Sequence, residues 1–188
     1  HITEPGLQDS LRVVIKQRKY KAALNPEPSS VFIVSVPSPI DDHNQPVLDY
    51  ILAAATAIAP PLRTGSLVIL ESTVPPGTTT GAFAEALADN SSVKPSEYLV
   101  AHCPERVLPG QILHELIHND RVIGGVTDEA SQAALKLYRT FVKGEIVITN
   151  ATTAELVKLS ENIYRDVNIG LANELALAAE SLGVDIWQ

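Results

Sequence analysis

The chain has 188 residues, of which 45% are hydrophobic and 19% charged, a composition typical of a folded domain with room for the start of another. Its formal net charge of −8 disfavours nucleic acid and anionic membranes as partners, because an acidic surface repels both. A single cysteine, no apolar run near the roughly 20 residues that span a bilayer, and no signal-peptide pattern in the first five residues predict a cytoplasmic protein.

Strand and helix patterns alternate along the first 150 residues. Five apolar runs with the length and composition of buried strands cover residues 31–36, 67–70, 98–101, 121–125 and 145–148. Helical patterns cover residues 7–20, 46–59, 78–88 and 127–142. The alternation predicts right-handed βαβ units, and therefore a Rossmann-like parallel α/β sheet with helices on both faces. We expect Thr78 or Thr79 to cap the third helix, and Thr127 or Asp128 the fourth.

The pattern changes after residue 150. Thr152 and Glu155 have the spacing of a capping box, and no helix breaker follows them until Gly183. About 30 helical residues would extend about 45 Å, which is longer than a typical α/β crossover. We therefore predict two regions: a sheet domain over residues 1–150 and, over 151–188, a long helix that begins a second domain.

Polar residues follow the first three predicted strands, in residues 36–39, 71–78 and 102–110. In open α/β sheets ligands bind beyond the carboxyl ends of the strands, so we expect these segments to share one edge. The long helix adds Lys158, Asn162 and Arg165, whose spacing places them on one face. Two cations and an amide in a row suit a carbonyl, an alkoxide or a phosphate. Spacing alone, however, favours an ordinary solvated helix face.

Two further patterns have simpler interpretations than a reactive site. Cys103 is expected to be a small residue packed at a strand end rather than a nucleophile. His114 and His118 are four residues apart on a predicted helix, but the sequence offers no third ligand. We therefore predict no metal site.

Six strings, taken together and in order, resemble the UDP-glucose/GDP-mannose dehydrogenase family. They occupy residues 36–39, 71–78, 103–110, 119–125, 154–162 and 165–175. The resemblance covers essentially the whole chain. The string Pro-Glu-Arg-Val-Leu-Pro-Gly at residues 104–110 is similar to the N-acetylmannosamine branch of the family. The UDP-glucose branch has Pro-Glu-Phe there, with a second Glu where this chain has Pro109.

The resemblance implies a partial NAD-binding domain, truncated at its N-terminus, over residues 1–150, and a helix that begins a central dimerisation domain over residues 151–188. It implies a homodimer that oxidises UDP-N-acetyl-D-mannosamine to the uronate, for surface polysaccharide precursors, in two NAD-dependent hydride transfers. UDP-N-acetylglucosamine and UDP-glucose remain alternative substrates. A non-catalytic folding and dimerisation module is a second hypothesis. Another Rossmann-type dehydrogenase, such as a hydroxyacid enzyme, is a third, which the string at residues 104–110 disfavours.

The resemblance also implies roles for residues at the strand ends. Pro37, Ser38 and Thr73 would contact NAD, and Thr73 would also help to hold a catalytic water. Glu105 would be the base for the hydrolytic half of the reaction.

Substrate contacts are implied for the next loop and the long helix. Arg106, Val107 and Arg165 would bind the nucleotide sugar. Lys158 would donate and accept the proton and stabilise the developing oxyanion, which is the chemistry expected of a fixed cation beside such an oxygen. Asn162 would hydrogen-bond the same oxygen.

Two family elements are not found in the sequence. None of the ten glycines forms the Gly-x-Gly-x-x-Gly turn that seats a pyrophosphate. The family's nucleophilic cysteine lies in a Gly-Gly-His-Cys-like segment well past the long helix, and Cys103 does not align with it. We therefore expect that the 188-residue chain alone does not complete the oxidation.

Overall fold

Five strands and six α-helices carry the fold in a computed structural model that describes residues 4–187. The strands form one sheet in chain order: β1 Val31–Val34, β2 Leu67–Leu70, β3 Leu99–His102, β4 Arg121–Gly125 and β5 Ile146–Asn150. The helices are α1 Leu7–Lys16, α2 Asp49–Ile58, α3 Ala82–Asn90, α4 Ile112–His118, α5 Asp128–Tyr138 and α6 Ala151–Ser181. Residues 1–3, part of the segment without a signal-peptide pattern, lie outside the described residues, as does residue 188.

The sheet is parallel except at one place. Strands β1, β2 and β3 pair in parallel, as do β4 and β5, but β4 runs antiparallel to β3. The prediction of a parallel sheet is therefore confirmed for the fold class and wrong for this pair. The reason lies in the connection: α4 has only seven residues and none of them is buried. A parallel connection must cross back over the sheet, and α4 does not do so. The chain therefore enters β4 at the edge of the sheet where β3 ends, and β4 runs in the opposite direction.

Two apolar layers hold the helices against opposite faces of the sheet. All four residues of β2 are buried, and they point alternately to the two sides. On one side Val68 and Leu70 belong to a cluster with residues of α2 and α3, including Ile51 and Phe83. On the other side Leu67 and Ile69 pack in a cluster that contains Tyr138 of α5. The prediction of helices on both faces is confirmed.

The helix starts are partly as predicted. Thr127 caps α5, since its side chain accepts a hydrogen bond from the Ala130 amide. The predicted cap at Thr78 or Thr79 is wrong, because α3 begins at Ala82 after Gly81. Thr79 is fully buried and has a different partner in α6.

Helix α6 has 31 residues, as its uninterrupted pattern predicted. Its N-cap is Asn150, whose Oδ1 accepts a hydrogen bond from the Thr153 amide at 2.8 Å. The predicted capping box of Thr152 and Glu155 is therefore wrong. Buried residues of α6 lie only in its first two turns. No helix within residues 4–187 is both long and apolar enough to cross a lipid bilayer.

His102, the last residue of β3, makes stability depend on pH. Its side chain is fully buried, and burial lowers its pKa from 6.5 to about 4 because the imidazolium would lose hydration. Between these values the unfolded chain binds the proton more readily, so stability is full above pH 6.5 and falls as the pH drops. From pH 7 to pH 5 we expect this group to lower the free energy of unfolding by about 2 kcal/mol.

The measurement is chemical denaturation of the wild type and of His102→Asn at both pH values. The variant removes only this titration, so its loss of stability on acidification should be smaller by that amount. Equal losses in the two proteins would assign the effect to other groups.

Candidate active site

The loop after β3 is held by side chains of α4 and of the residue that caps it. We call residues 104–110 the PER loop. Asn119 donates from Nδ2 to the Arg106 carbonyl at 2.7 Å, and the Leu108 amide donates to Glu115 Oε2 at 2.6 Å. Two backbone groups of the loop are thereby satisfied by residues of α4 or its C-cap, which gives the loop one defined conformation.

Glu4 fixes the far end of the PER loop. Its side chain is 9% exposed, and its two carboxylate oxygens accept hydrogen bonds from the Gly110 and Ile112 amides at 2.8 and 2.7 Å. Hydrogen bonds to a carboxylate are stronger than neutral ones, so the segment before α1 acts as a clamp on the loop.

A groove of about 280 Å³ lies between the PER loop, α4 and α6, and we call it the basic groove. Its lining includes Arg106, Val107, Leu108, Glu115, Asn119, Lys158, Glu161 and Arg165. The structure therefore brings together four of the five residues predicted to bind substrate. Three cations against two carboxylates leave the lining with an excess of positive charge, although the whole chain is acidic.

An ion pair joins the two walls of the basic groove. Arg106 Nη2 lies 2.5 Å from Glu161 Oε1, and Arg106 Nε donates to Glu161 Oε2 at 3.1 Å. Both side chains are about one-third exposed, so solvent screens the pair and its main effect is geometric. The paired contact orients the guanidinium plane across the groove.

Asn162, the fifth predicted substrate residue, is not in the groove lining. Arg165 Nη2 donates to its Oδ1 at 2.7 Å, so the amide and the guanidinium of α6 are oriented by each other. The shared helix face is confirmed, and its amide lies beside the groove.

A second groove, of about 210 Å³, lies where β1 and β2 end, and we call it the apolar groove. Ser38, Thr73 and Leu159 line it together with Pro39, Ile40, Pro46, Val47, Leu48, Val74 and Pro75. Ser72 ties the two strand ends together: its Oγ accepts from the Val36 amide at 2.8 Å and donates to the Val36 carbonyl at 2.7 Å. Pro37 precedes Ser38 but is not in the lining.

The two grooves border the same turn of α6. Lys158 lines the basic groove, and its neighbour Leu159 lines the apolar groove. The sequence predicted that the strand-end segments share one edge of the sheet, and at that edge the basic groove and the apolar groove both adjoin α6.

Glu155 anchors this turn of α6 to the loop after β2. Its carboxylate is fully buried and accepts hydrogen bonds from the Gly77 amide at 2.6 Å, the Thr79 amide at 2.7 Å and the Thr79 hydroxyl at 2.6 Å. The same loop carries Thr73 of the apolar groove.

Glu71, which begins the loop after β2, is held by a buried polar cluster. Tyr138 donates its hydroxyl to Glu71 Oε1 at 2.5 Å, and the Arg121 guanidinium lies 4.0 Å from the same oxygen and 5.3 Å from the Tyr138 ring centre. Cys103 packs nearby, fully buried, and burial raises its pKa to about 11. A thiol in this state is a poor nucleophile, so the prediction of a packed small residue is confirmed.

Three further residues considered in the sequence analysis, Glu105, His114 and His118, lie outside both linings. Glu105 is half-buried, and its carboxylate accepts a hydrogen bond from the Val107 amide within the PER loop. His114 and His118 stack with ring centres 4.2 Å apart. Among residues 4–187, no group of three or more His, Cys, Asp or Glu is arranged to hold a metal ion.

Several residues that build the site were not predicted to do so from the sequence. They are Glu4, Ser72, Asn119, Glu161 and Glu155, and only a capping role was predicted for Glu155. Only Glu161 carried a usable signal, because it is three residues after Lys158 and four before Arg165, on the same helix face. Glu4 and Ser72 act on backbone groups far away in sequence, so no local pattern marks them.

Family models match two parts of the chain. Residues 1–142 match the NAD binding domain of the UDP-glucose/GDP-mannose dehydrogenase family, and residues 152–188 match its central domain.

Known proteins resemble the chain along its whole length. It is 48% identical to NDP-N-acetyl-D-galactosaminuronic acid dehydrogenase from Ralstonia nicotianae, covering 100% of the chain and 46% of that protein. It is 46% identical to UDP-N-acetyl-D-mannosamine dehydrogenase from Campylobacter jejuni, covering 100% and 48%. The solved structure of UDP-D-ManNAc dehydrogenase from Pyrococcus horikoshii superposes with a TM-score of 0.94 at 46% identity, covering 100% of the chain and 45% of that structure.

The chain spans about half the length of the curated relatives it matches. The match to the NAD binding domain alone covers more than half of the chain, and the chain belongs to the UDP-glucose/GDP-mannose dehydrogenase family.

Proposed function

We propose that the full-length gene product is an NAD-dependent dehydrogenase that oxidises the C6 hydroxymethyl group of a UDP-linked N-acetylhexosamine to a carboxylate. The observation that carries the proposal is the single turn of α6 that borders both grooves. It places Lys158 in a basic groove suited to a nucleotide sugar and Leu159 in an apolar groove suited to a cofactor ring.

The apolar groove fits part of NAD. Its apolar side chains offer a surface for a flat ring, while the hydroxyls of Ser38 and Thr73 offer hydrogen bonds to polar groups at its edge. NAD bound there would accept the hydride that leaves the sugar carbon. We propose residues 1–150 as the NAD-binding region, in line with the family match to residues 1–142.

The basic groove fits an anionic sugar nucleotide. Arg106 and Arg165 add positive charge that attracts phosphate oxygens, with Arg106 held in orientation by Glu161, and Val107 adds an apolar side chain to the lining. We propose that the Lys158 amine takes up the hydroxyl proton as the carbon loses hydride, and that the ammonium so formed stabilises the oxygen by charge and hydrogen bonding. Asn162, oriented by Arg165, would hydrogen-bond the same oxygen.

The hydrolytic half of the reaction needs a general base and a bound water molecule. We propose Glu105 as the base and Thr73 as a residue that holds the water. Glu105 would have to exchange its bond to the Val107 amide for one to the water.

We propose UDP-N-acetyl-D-mannosamine as the substrate, because the PER loop resembles that branch and relatives with that name are 46% identical. A relative named for N-acetyl-D-galactosaminuronic acid is as similar, so the test uses several sugars.

The full-length gene product is incubated with NAD and the UDP derivatives of N-acetylmannosamine, N-acetylgalactosamine, N-acetylglucosamine and glucose. We expect NADH with an N-acetylated sugar, two NADH per sugar, and a uronate by mass spectrometry. Absence of NADH with all four would refute the proposal.

We further propose a homodimer in which residues 151–188 begin the paired domain. Large apolar side chains are more than half exposed along α6, at Leu156, Ile163, Val167, Ile169, Leu171, Leu175 and Leu177. Such a surface normally packs against protein, and the family match to a central domain agrees. Light scattering of the full-length gene product tests the dimer.

The cytoplasm is the proposed compartment, since one buried thiol needs no oxidising environment.

A further inference from the structure

Glu155 is a carboxylate with an unusual environment. Its side chain is fully buried, yet no ion pair reaches it from any residue between 4 and 187. Three donors satisfy it instead: two backbone amides and one hydroxyl, all within 2.7 Å. A buried carboxylate is costly unless its hydrogen bonds are complete, so the geometry around it is held tightly.

The three donors and the carboxylate belong to elements that carry different halves of the site. Gly77 and Thr79 lie in the loop after β2, a few residues beyond Thr73 of the apolar groove. Glu155 lies one turn of α6 before Lys158 of the basic groove. Glu155 and Thr79 are 76 residues apart in the chain, so this contact is a tertiary link between the two grooves.

The apolar contacts of α6 do not fix its position as precisely as these hydrogen bonds do. Apolar contacts between α6 and the sheet resist separation but allow sliding, because they have no preferred geometry. Hydrogen bonds from fixed backbone amides to both oxygens of one carboxylate define a position along and around the helix axis.

We propose that Glu155 is a positioning residue: it sets the distance between the cofactor-side loop and the turn of α6 that carries Lys158. The inference rests on the proposed function, because the distance matters only if hydride moves between the two grooves. Hydride transfer requires the reacting atoms to be close and aligned, and a shift of about 1 Å costs about 100-fold in rate.

The first test is Glu155→Gln in the full-length gene product. The amide nitrogen of glutamine must face either the Gly77 amide or the Thr79 donors, so a donor meets a donor and the loop moves away. We expect kcat to fall between about 10-fold and 100-fold. The KM values for NAD and for the UDP-sugar should stay within about 3-fold, because each groove keeps its own lining.

Two further variants keep the proposal testable. Thr79→Val has nearly the same shape and removes only the hydroxyl bond, so kcat should fall less, by about 3-fold to 10-fold, again without a change in KM. Glu129→Gln makes the same chemical change at an exposed position of α5, outside both groove linings, and should leave kcat unchanged. Hydrogen exchange at the Gly77 and Thr79 amides reports the anchor directly and should accelerate in Glu155→Gln.

The outcomes separate the two proposals. If the wild type makes no NADH, the proposed function fails and this inference falls with it. If the wild type is active and Glu155→Gln retains normal kcat, or loses only substrate affinity, the positioning role is refuted. If Glu155→Gln does not fold, Thr79→Val decides, and unchanged kcat in that variant would overturn the inference.

Discussion

Replacing Lys158 with alanine in the full-length gene product is expected to lower kcat by at least about 100-fold, the usual scale for a positioned proton-transfer group. Lys158 lines the basic groove on the same turn of α6 that borders the apolar groove, so under the proposed mechanism its amino group would face the oxygen that loses a proton. If the proposal holds, alanine removes the group that takes up the proton and that stabilises the oxygen once it carries that proton. Steady-state NADH formation with saturating NAD and UDP-sugar measures the effect.

Lys136→Ala is the matched control, because it removes an exposed lysine of α5 that belongs to neither groove lining. It should leave kcat within about 2-fold. A Lys158→Ala protein that folds normally and keeps near-normal kcat would remove Lys158 from the mechanism.

The largest effect on stability is expected for Gly124→Ala, which should lower the free energy of unfolding by about 3 kcal/mol, the upper end for overpacking. A Cβ at Gly124 would lie 2.7 Å from the Ala151 Cα and closer still to the Asn150 carbonyl. These are backbone atoms at the start of α6, so relief requires moving the helix that carries Lys158. Chemical denaturation measures the loss.

Gly170→Ala is the control for the same substitution in open space. Nothing lies within 4 Å of its added Cβ, and Gly170 is inside α6, where alanine is the better helix former. It should raise stability by up to about 1 kcal/mol. If both variants change stability in the same direction and by the same amount, the close approach at Gly124 is not what determines the cost.

Local patterns in the sequence were enough for most of the fold. The apolar runs gave the five strands, because burial on both faces requires continuous apolar residues. The absence of proline through residues 151–181 gave the length of α6. The direction of β4 was not predictable, because it depends on whether α4 crosses the sheet, and a short helix pattern does not reveal where it packs.

The sequence predicted residues that form the candidate site, but not the contacts that join them. Lys158 and Arg165 share a groove with Arg106, as helical spacing and strand ends indicated. Glu161 was not predicted to hold Arg106, since the partner lies 55 residues away. The sequence also gave no indication that the residues proposed to contact the cofactor and those proposed to contact the substrate would line separate grooves.

Glu155 shows most clearly what the sequence determined and what the tertiary structure determined. By itself the sequence determined that a carboxylate stands early in a long helix, and its spacing from Thr152 equally suited a cap. Only the tertiary structure decided that Asn150 caps the helix and that the carboxylate meets the Gly77 and Thr79 amides. Helix and strand formation depend on neighbours within a few residues, whereas a buried charge takes whichever donors the fold brings to it from elsewhere in the chain.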